Sequence, residues 1–352
     1  MKRVAVLSKY GSRAASTRQR FLQYRDILAA NGIRLDIHPL LDNDYLDKRL
    51  GAHGKPIAAA LSGYAQRARH LVGGIDADAV IVHCEVFPYL PGALENLLLR
   101  VRQPLIYDFD DAIFHQYDAH RRPLVRRMLG GKLAPLLSRM ELAICGNAYL
   151  EDYAARYCKR TAIVPTVVDV DAYRPVADRD PDARPVLGWI GSPSTWTYMR
   201  PHAPMLSRLA AELDFRILVV GAGPQDAAIP GFDFVDWTEE TEIASIQAMD
   251  IGIMPLPDEP WARGKCGYKL IQYMACGLPV VASPVGVNSE IVTDGVNGFL
   301  ARGEDEWSAA IRRLVEDPAL RRSLGREGRR TVEERYSLQV HGPRLADLLG
   351  QV

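Results

Sequence analysis

The chain has no Cys-x-x-Cys pair; its five cysteines, Cys84, Cys145, Cys158, Cys266 and Cys276, fall singly, with no metal-ligand spacing. An odd number of isolated cysteines on or beside apolar strands reads as buried free thiols in a reducing compartment. No apolar run approaches the roughly 18 residues that a membrane-spanning helix needs. A signal-peptide h-region is also missing, because the chain enters the strand pattern of residues 3–7 at once, so the expected location is cytoplasmic. No internal repeat or low-complexity tract is present. Net charge is zero, with 43 basic and 43 acidic side chains, but the balance is uneven. Residues 1–178 carry 25 basic and 19 acidic groups and the remainder 18 and 24, so one half is +6 and the other −6. The first half therefore suits an anionic partner. With 352 residues, 48% apolar and 24% charged, the composition excludes wholesale disorder and allows two domains.

Two nucleotide-binding signatures are lacking as well. The turn after the first strand reads Ser8-Lys-Tyr-Gly-Ser-Arg-Ala-Ala-Ser16 rather than Gly-x-Gly-x-x-Gly, and the second strand ends in His38-Pro39 with no acidic ribose ligand. No Gly-x4-Gly-Lys-Ser/Thr loop occurs. Nicotinamide-dependent hydride transfer and P-loop phosphoryl transfer both lose support.

What is present is alternation. Short β-rich runs at residues 4–7, 34–38, 79–83, 105–107, 142–145 and 162–165 are separated by helical patterns, one of them over residues 17–31. The aperiodic, Pro- and charge-rich stretch from Tyr173 to Pro185 reads as a linker. The alternation then restarts, with strands at residues 186–190, 216–220, 232–235, 251–254, 279–282 and 299–300 and a helix over about 199–212. This predicts an α/β chain of two Rossmann-like, doubly wound parallel-sheet domains facing a cleft. The boundaries are 1–175, a linker at 176–185, 186–335, and a C-terminal helix at 336–352 crossing back to the first domain. Parallel sheets bind ligands beyond the carboxyl ends of their strands, so residues just after strands carry the functional expectation.

The strongest local signal runs from Gly264 through Lys265, Cys266, Gly267, Lys269 and Gln272 to Met274-Ala-Cys-Gly-Leu-Pro-Val-Val-Ala-Ser283, then Glu290-Ile-Val-x-Asp-Gly-x-x-Gly-Phe299. Gly264 and Gly267 would let backbone approach a ligand, the following helix start would face a phosphate, and Lys265 and Lys269 add positive charge. Capping with solvated lysines is the plain structural alternative. These motifs resemble the GT-B-fold glycosyltransferases of family 4, which are retaining and nucleotide-sugar dependent. In that family a Glu-x7-Glu motif precedes Met-Ala-Cys-Gly, its first Glu addressing the donor sugar and its second the ribose. Here those positions are Gly264 and Gln272, so both carboxylates are gone and sugar recognition is expected from the backbone at Lys265, Cys266 and Gly267.

The resemblance further implies a donor-phosphate loop at Gly191, Ser192, Ser194 and Thr195, with Lys265 substituting for the family's Arg–Lys pair, Trp237 beside the base, and Glu290 on the donor or anchoring its loop. An ordinary Ser/Thr helix cap explains the loop equally, and a core tryptophan explains Trp237. In the first half, Asp108-Phe-Asp110-Asp111 follows a strand. Alignment puts Asp110 where the family has a His facing the reacting sugar. Asp110, with Asp108, is therefore assigned to orient the acceptor or stabilise charge at the anomeric carbon. Asp108-x-Asp110 as a divalent-metal site is the alternative, whereas the resemblance implies a metal-independent enzyme. Gly11, Ser12, Arg18 and Arg20 fall on the acceptor side.

Arg121, Arg122, Arg126 and Arg127, flanked by Val125, Met128 and Leu129, form a basic amphipathic segment that suits an anionic membrane surface, or a solvated helix face. It has no interleaved aromatics, which argues against nucleic acid. The expected function is transfer of a sugar from a nucleoside diphosphate sugar to a lipid-linked or envelope-polysaccharide acceptor, at the cytoplasmic membrane face. A sugar-nucleotide epimerase and a non-catalytic scaffold are the rivals.

Overall fold

The computed structural model describes residues 1–50, 56–176, 183–224 and 228–352; residues 177–182 of the expected linker lie outside the described residues. Contacts divide the chain into two units. The first comprises Met1–Thr166, Gly264–Cys266 and His341–Val352, and the second Val167–Arg263 and Gly267–Val340.

The first unit is built on six parallel strands: β1 (Lys2–Tyr10), β2 (Ile33–Leu41), β3 (Ala79–His83), β4 (Leu105–Phe109), β5 (Leu142–Cys145) and β6 (Thr161–Ile163). Their order is β2-β1-β3-β4-β5-β6. Strands covered on both faces read as unbroken apolar runs; Val4 to Leu7 and Ala79 to Val82 are all buried. The strand order reverses between β1 and β3, which opens a crevice beyond their carboxyl ends. The single helix expected over residues 17–31 is instead Ala15–Arg20, a 3₁₀ turn at Leu22–Tyr24, and Arg25–Ala30. The break falls at Phe21 (φ −133°, ψ −52°), a buried ring set edge-on to His83 at 5.2 Å. Burial of Arg20 and Phe21 overrides helix propensity here.

A buried ionic trio braces the loop after β3. Lys132 Nζ lies 2.7 Å from Glu85 and 3.2 Å from Glu95, and also donates to Phe87 O at 2.6 Å. Tyr117 Oη donates to Glu85 at 2.5 Å. Burial pushes Glu95 up to about 7 even with Lys132 beside it.

The second unit carries β7 (Val186–Ile190), β8 (Arg216–Val220), β9 (Phe232–Val235), β10 (Ile251–Met254), β11 (Val280–Ala282) and β12 (Gly298–Leu300). All are parallel, in the order β12-β11-β10-β7-β8-β9, so the reversal falls between β7 and β10. The helix Tyr268–Ala275 lies against β10 because Gly252 leaves room: a Cβ there would sit 2.3 Å from the Tyr273 ring. The Tyr273 hydroxyl in turn accepts from Ile190 N at 2.9 Å, tying this helix to the end of β7. The helix expected over 199–212 is split into Pro193–Met199, a 3₁₀ turn at Arg200–His202, and Ala203–Leu213. No helix among the described residues is long and apolar enough to cross a membrane.

Lys132→Met should destabilise the protein by about 3–5 kcal/mol, because it strands two buried carboxylates. A urea midpoint equal to that of the parent would show that the trio contributes nothing to folding.

Candidate active site

In the first unit Arg20, His83, Asp108 and Asp110 gather at the β1/β3 reversal and the neighbouring end of β4. Asp108 is fully engaged: Arg20 grips it with two bonds, Nε to Oδ1 at 3.1 Å and Nη2 to Oδ2 at 2.6 Å, both side chains buried. Arg20 also donates to Val164 O at 2.8 Å. The structure thus gives the expected acceptor residue Arg20 and the expected catalytic Asp108 to one buried ion pair, where they organise the sheet end. Asp110 is more open, with 14% of its side chain exposed, and takes a 3.4 Å contact from Thr166 Oγ1.

His83, which no motif marked, stands between the two aspartates. Its Nε2 lies 3.8 Å from Asp110 and 4.0 Å from Asp108, ion-pair distances too long for hydrogen bonds. Burial works against a charged ring, but Cys84, Asp110 and Asp108 outweigh it and hold His83 well above its ordinary value. Asp110 is lowered although burial opposes ionisation, because His83 and Arg20 favour the charged form. Burial raises the Cys84 thiol. Cys84 sits at φ +65°, a left-handed conformation rare for a residue with a side chain. His83, Cys84 and Asp110 place donor atoms within 4.8 Å of one another and could hold a metal ion.

The segment Gly264–Cys266 belongs to this unit. Asn147 Nδ2 donates to the carbonyls of Gly264 and Lys265, each at 3.2 Å, while its Oδ1 caps the helix Ala148–Ala154 by accepting from Leu150 N at 3.0 Å. Lys265 Nζ lies 3.4 Å from Asp111 Oδ1. Glycine at 264 is demanded by packing, since a Cβ would meet that of Ala112 at 2.3 Å; the expected close approach to a ligand is not its reason. Gly11, buried, bonds to Leu41 O at 3.0 Å, and the exposed Ser12 hydroxyl accepts from Asn43 Nδ2 at 3.1 Å. Arg18 donates to Arg13 O at 2.6 Å.

In the second unit the loops after β7, β8 and β9 converge. Ser192 N donates to Thr195 Oγ1 at 3.0 Å, and the Ser192 and Ser194 hydroxyls are 2.9 Å apart, capping Pro193–Met199. A Cβ at Gly221 (φ +81°) would strike Gly191 O at 2.3 Å and lie 3.0 Å from Trp237 Cβ, so these three are neighbours. Lys269 Nζ sits 5.7 Å over the Trp189 ring. Gly267 adopts φ +67°, and its missing side chain leaves space for Ile291 and Val287 rather than for a ligand. Its neighbour helix Asn288–Ile291 carries Glu290, which is exposed. Cys266 belongs to the first unit and is half-buried.

Gln272, buried on the helix Tyr268–Ala275, belongs to a network that sequence reasoning did not find. Its Nε2 lies 2.9 Å from Glu242 Oε1 and 3.0 Å from Tyr173 Oη. Tyr173 Oη donates to the same Glu242 oxygen at 2.5 Å, and Trp237 Nε1 donates to Glu242 Oε2 at 2.7 Å. Burial, then Tyr268 and Glu242, push the Tyr173 hydroxyl up, so it stays a donor. Arg329 fastens this stretch by donating to the carbonyls of Val170 (2.9 Å), Tyr173 and Ala275 (2.6 Å).

The basic segment forms the short helix Pro123–Leu129. Arg121, Arg122, Arg126 and Arg127 are exposed. Its outward apolar residues are Leu124 and Met128, exposed by 66% and 62%. Val125 is half-buried and Leu129 buried against its own unit, which corrects the expected apolar flank.

Because Cys84, Asp110 and Asp108 raise His83 against the cost of burial, the charged ring's contribution to stability is present below its ordinary value of 6.5 and fades as pH rises through its folded value. The stability gap between wild type and His83→Asn should therefore be larger at pH 6 than at pH 9.5. Denaturant midpoints separated equally at both values would refute a charged ring.

Residues 184–317 match the family model described as Glycosyl transferases group 1. The chain is 27% identical over 210 residues to the GDP-mannose-dependent monoacylated alpha-(1-6)-phosphatidylinositol monomannoside mannosyltransferase of Corynebacterium glutamicum, covering 53% of this chain and 55% of that protein. It is 29% identical over 205 residues to the D-inositol 3-phosphate glycosyltransferase of Rhodococcus opacus, covering 49% of this chain and 44% of that protein. The chain thus spans about half the length of the curated relatives it matches. In fold it resembles Anabaena HepE in complex with UDP-glucose (TM-score 0.73, 16% identity, 100% of both chains). It also resembles the sucrose-phosphate synthase of Thermosynechococcus elongatus (TM-score 0.71, 17% identity, 100% of this chain and 99% of that one). The two six-stranded parallel sheets have the GT-B fold of these solved structures, and residues 184–317 are similar to the group 1 glycosyltransferases.

Proposed function

We propose that the protein transfers a sugar from a nucleoside diphosphate sugar to a lipid-linked or envelope-polysaccharide acceptor, with retention of configuration. One observation carries the reading: in the second unit, the Gly191 loop, Gly221, Trp237 and the Gln272 network collect at the carboxyl ends of β7 to β9 and on the helix packed over β10. That is the reversal point where open parallel sheets take ligands, and it lies inside the segment that matches the family. The second unit holds the donor: Gly191, Ser192, Ser194 and Thr195 address the diphosphate, Lys269 adds charge, Trp237 flanks the base and Gln272 the ribose. Glu290 anchors the neighbouring turn.

The first unit presents the acceptor through Gly11, Ser12 and Arg18, and Asp110 faces the reacting centre. Lys265, beside Asp111, is the cation assigned to the departing diphosphate. Catalysis is positioning and electrostatics, independent of a bound metal. A lipid-linked acceptor gains support from the curated mannosyltransferase relative, whose name gives a phosphatidylinositol monomannoside substrate. The exposed Leu124 and Met128 among four arginines add to it, placing the protein at the cytoplasmic face of an anionic membrane.

The test is incubation with a panel of nucleotide sugars, with and without lipid extract. Sugar should move only when acceptor is supplied; a new sugar nucleotide formed without it would mark an epimerase, and no change at all a scaffold. Lys265→Ala should lower the transfer rate about 10²-fold without unfolding the protein, and unchanged turnover would remove Lys265 from the mechanism. Replacing Arg121, Arg122, Arg126 and Arg127 with alanine should abolish sedimentation with phosphatidylserine-containing vesicles, at about 1 kcal/mol per cation. Equal binding by the variant and the parent would discard the membrane assignment.

A further inference from the structure

We propose that Glu242 is the positioning residue that turns the Gln272 amide so that its oxygen receives a ribose hydroxyl of the donor. This deepens the donor reading of the second unit and rests on it. The orientation is fixed by chemistry. A carboxylate can only accept, so the part of Gln272 facing Glu242 Oε1 at 2.9 Å has to be the NH₂ group. The same nitrogen also reaches Tyr173 Oη at 3.0 Å. Both amide hydrogens of Gln272 are thereby directed into the trio, and Oε1 points out of it. Among the described residues none donates to that oxygen, and it is not one of the sealed side-chain atoms left without a partner.

Glu242 cannot rotate away to release the amide. Trp237 Nε1 holds its second oxygen at 2.7 Å, and Tyr173 Oη holds the first at 2.5 Å. The negative charge that a glutamate at position 272 would carry is therefore present, set one contact behind an amide that relays its preference for a hydroxyl donor. A glutamine alone at 272 could present either end to a ligand; the Glu242 carboxylate leaves it one choice.

The experiment titrates the full chain with UDP and GDP and with their 2′-deoxy and 3′-deoxy counterparts. Wild type should bind the preferred ribonucleotide about tenfold tighter than at least one deoxy form. In Glu242→Gln one end of the new amide must be NH₂, facing either the Trp237 N–H or the Gln272 NH₂. The Gln272 amide loses its fixed orientation, and the ribo/deoxy ratio should fall below about threefold while the protein stays folded. Tyr173→Phe, a gentler change, should lower the ratio in the same direction. The double substitution Glu242→Gln with Gln272→Glu should restore it, since the carboxylate then at position 272 accepts from the amide at position 242 and offers its other oxygen outward.

A structural role alone would weaken ribo and deoxy forms equally. A ratio that survives Glu242→Gln and Tyr173→Phe, or a double substitution no better than the single change, overturns the assignment. Binding of UDP or GDP to wild type without ribo/deoxy discrimination overturns it while leaving the donor reading intact. Failure of both nucleotides to bind wild type overturns the donor reading and this assignment together.

Discussion

The second unit depends on one packing constraint, the absence of a side chain at Gly252. Because β10 is bare there, the Tyr273 ring lies directly on the sheet and its hydroxyl reaches the amide of Ile190 at the end of β7. The helix Tyr268–Ala275 is thereby pinned in height and rotation against the two strands that flank the reversal of strand order. Gln272, one residue before Tyr273, inherits that placement. A side chain at position 252 would push the helix outward, and interiors this dense transmit such shifts rather than absorb them.

In the first unit the organising force is electrostatic. Arg20 and Asp108 neutralise each other deep in the sheet end, so the charge that matters next to the open crevice is that of Asp110, with His83 opposite. Fixing one aspartate to leave the other responsive is an economical way to use a carboxylate cluster in which every member would otherwise repel the rest. Asn147 adds precision by using its two ends differently, the oxygen on its own helix start and the nitrogen on the Gly264 and Lys265 carbonyls.

Much of the fold was legible because buried parallel strands write themselves as apolar runs: each of the twelve expected strands is found, with ends shifted by a few residues at most in several of them. The break at Phe21 was not legible, since the long-range contacts of Phe21 with His83 and of Arg20 with Asp108 decided it and propensity did not; the break at Arg200 falls beside Pro201, which disfavours continuing the helix. For the candidate site, the glycine- and serine-bearing loops stood out by composition. His83, Asn147, Tyr173 and Glu242 did not, because each looks locally ordinary. Glu242 in particular opens a helix, where an acidic residue is favoured by the helix dipole whether or not it has another task. Gly264 and Gly267 misled for the opposite reason: glycine marks close approach, and the sequence does not say whether a ligand or a side chain such as Ala112 or Ile291 comes close.

The division of the chain has a consequence for biosynthesis. The segment His341–Val352 is part of the first unit, where Leu345 and Leu349 are buried, Lys2 Nζ bonds to Leu349 O at 2.8 Å, and Gly342 lies against Ile27. The first unit therefore begins to emerge from the ribosome before the second yet stays unsealed until residues 341–352 are made. Meanwhile the continuous stretch that supplies most of the other lobe can consolidate. A truncated message that stops short of residue 341 would leave the earlier lobe with an uncovered apolar seam, a natural target for chaperones and quality control.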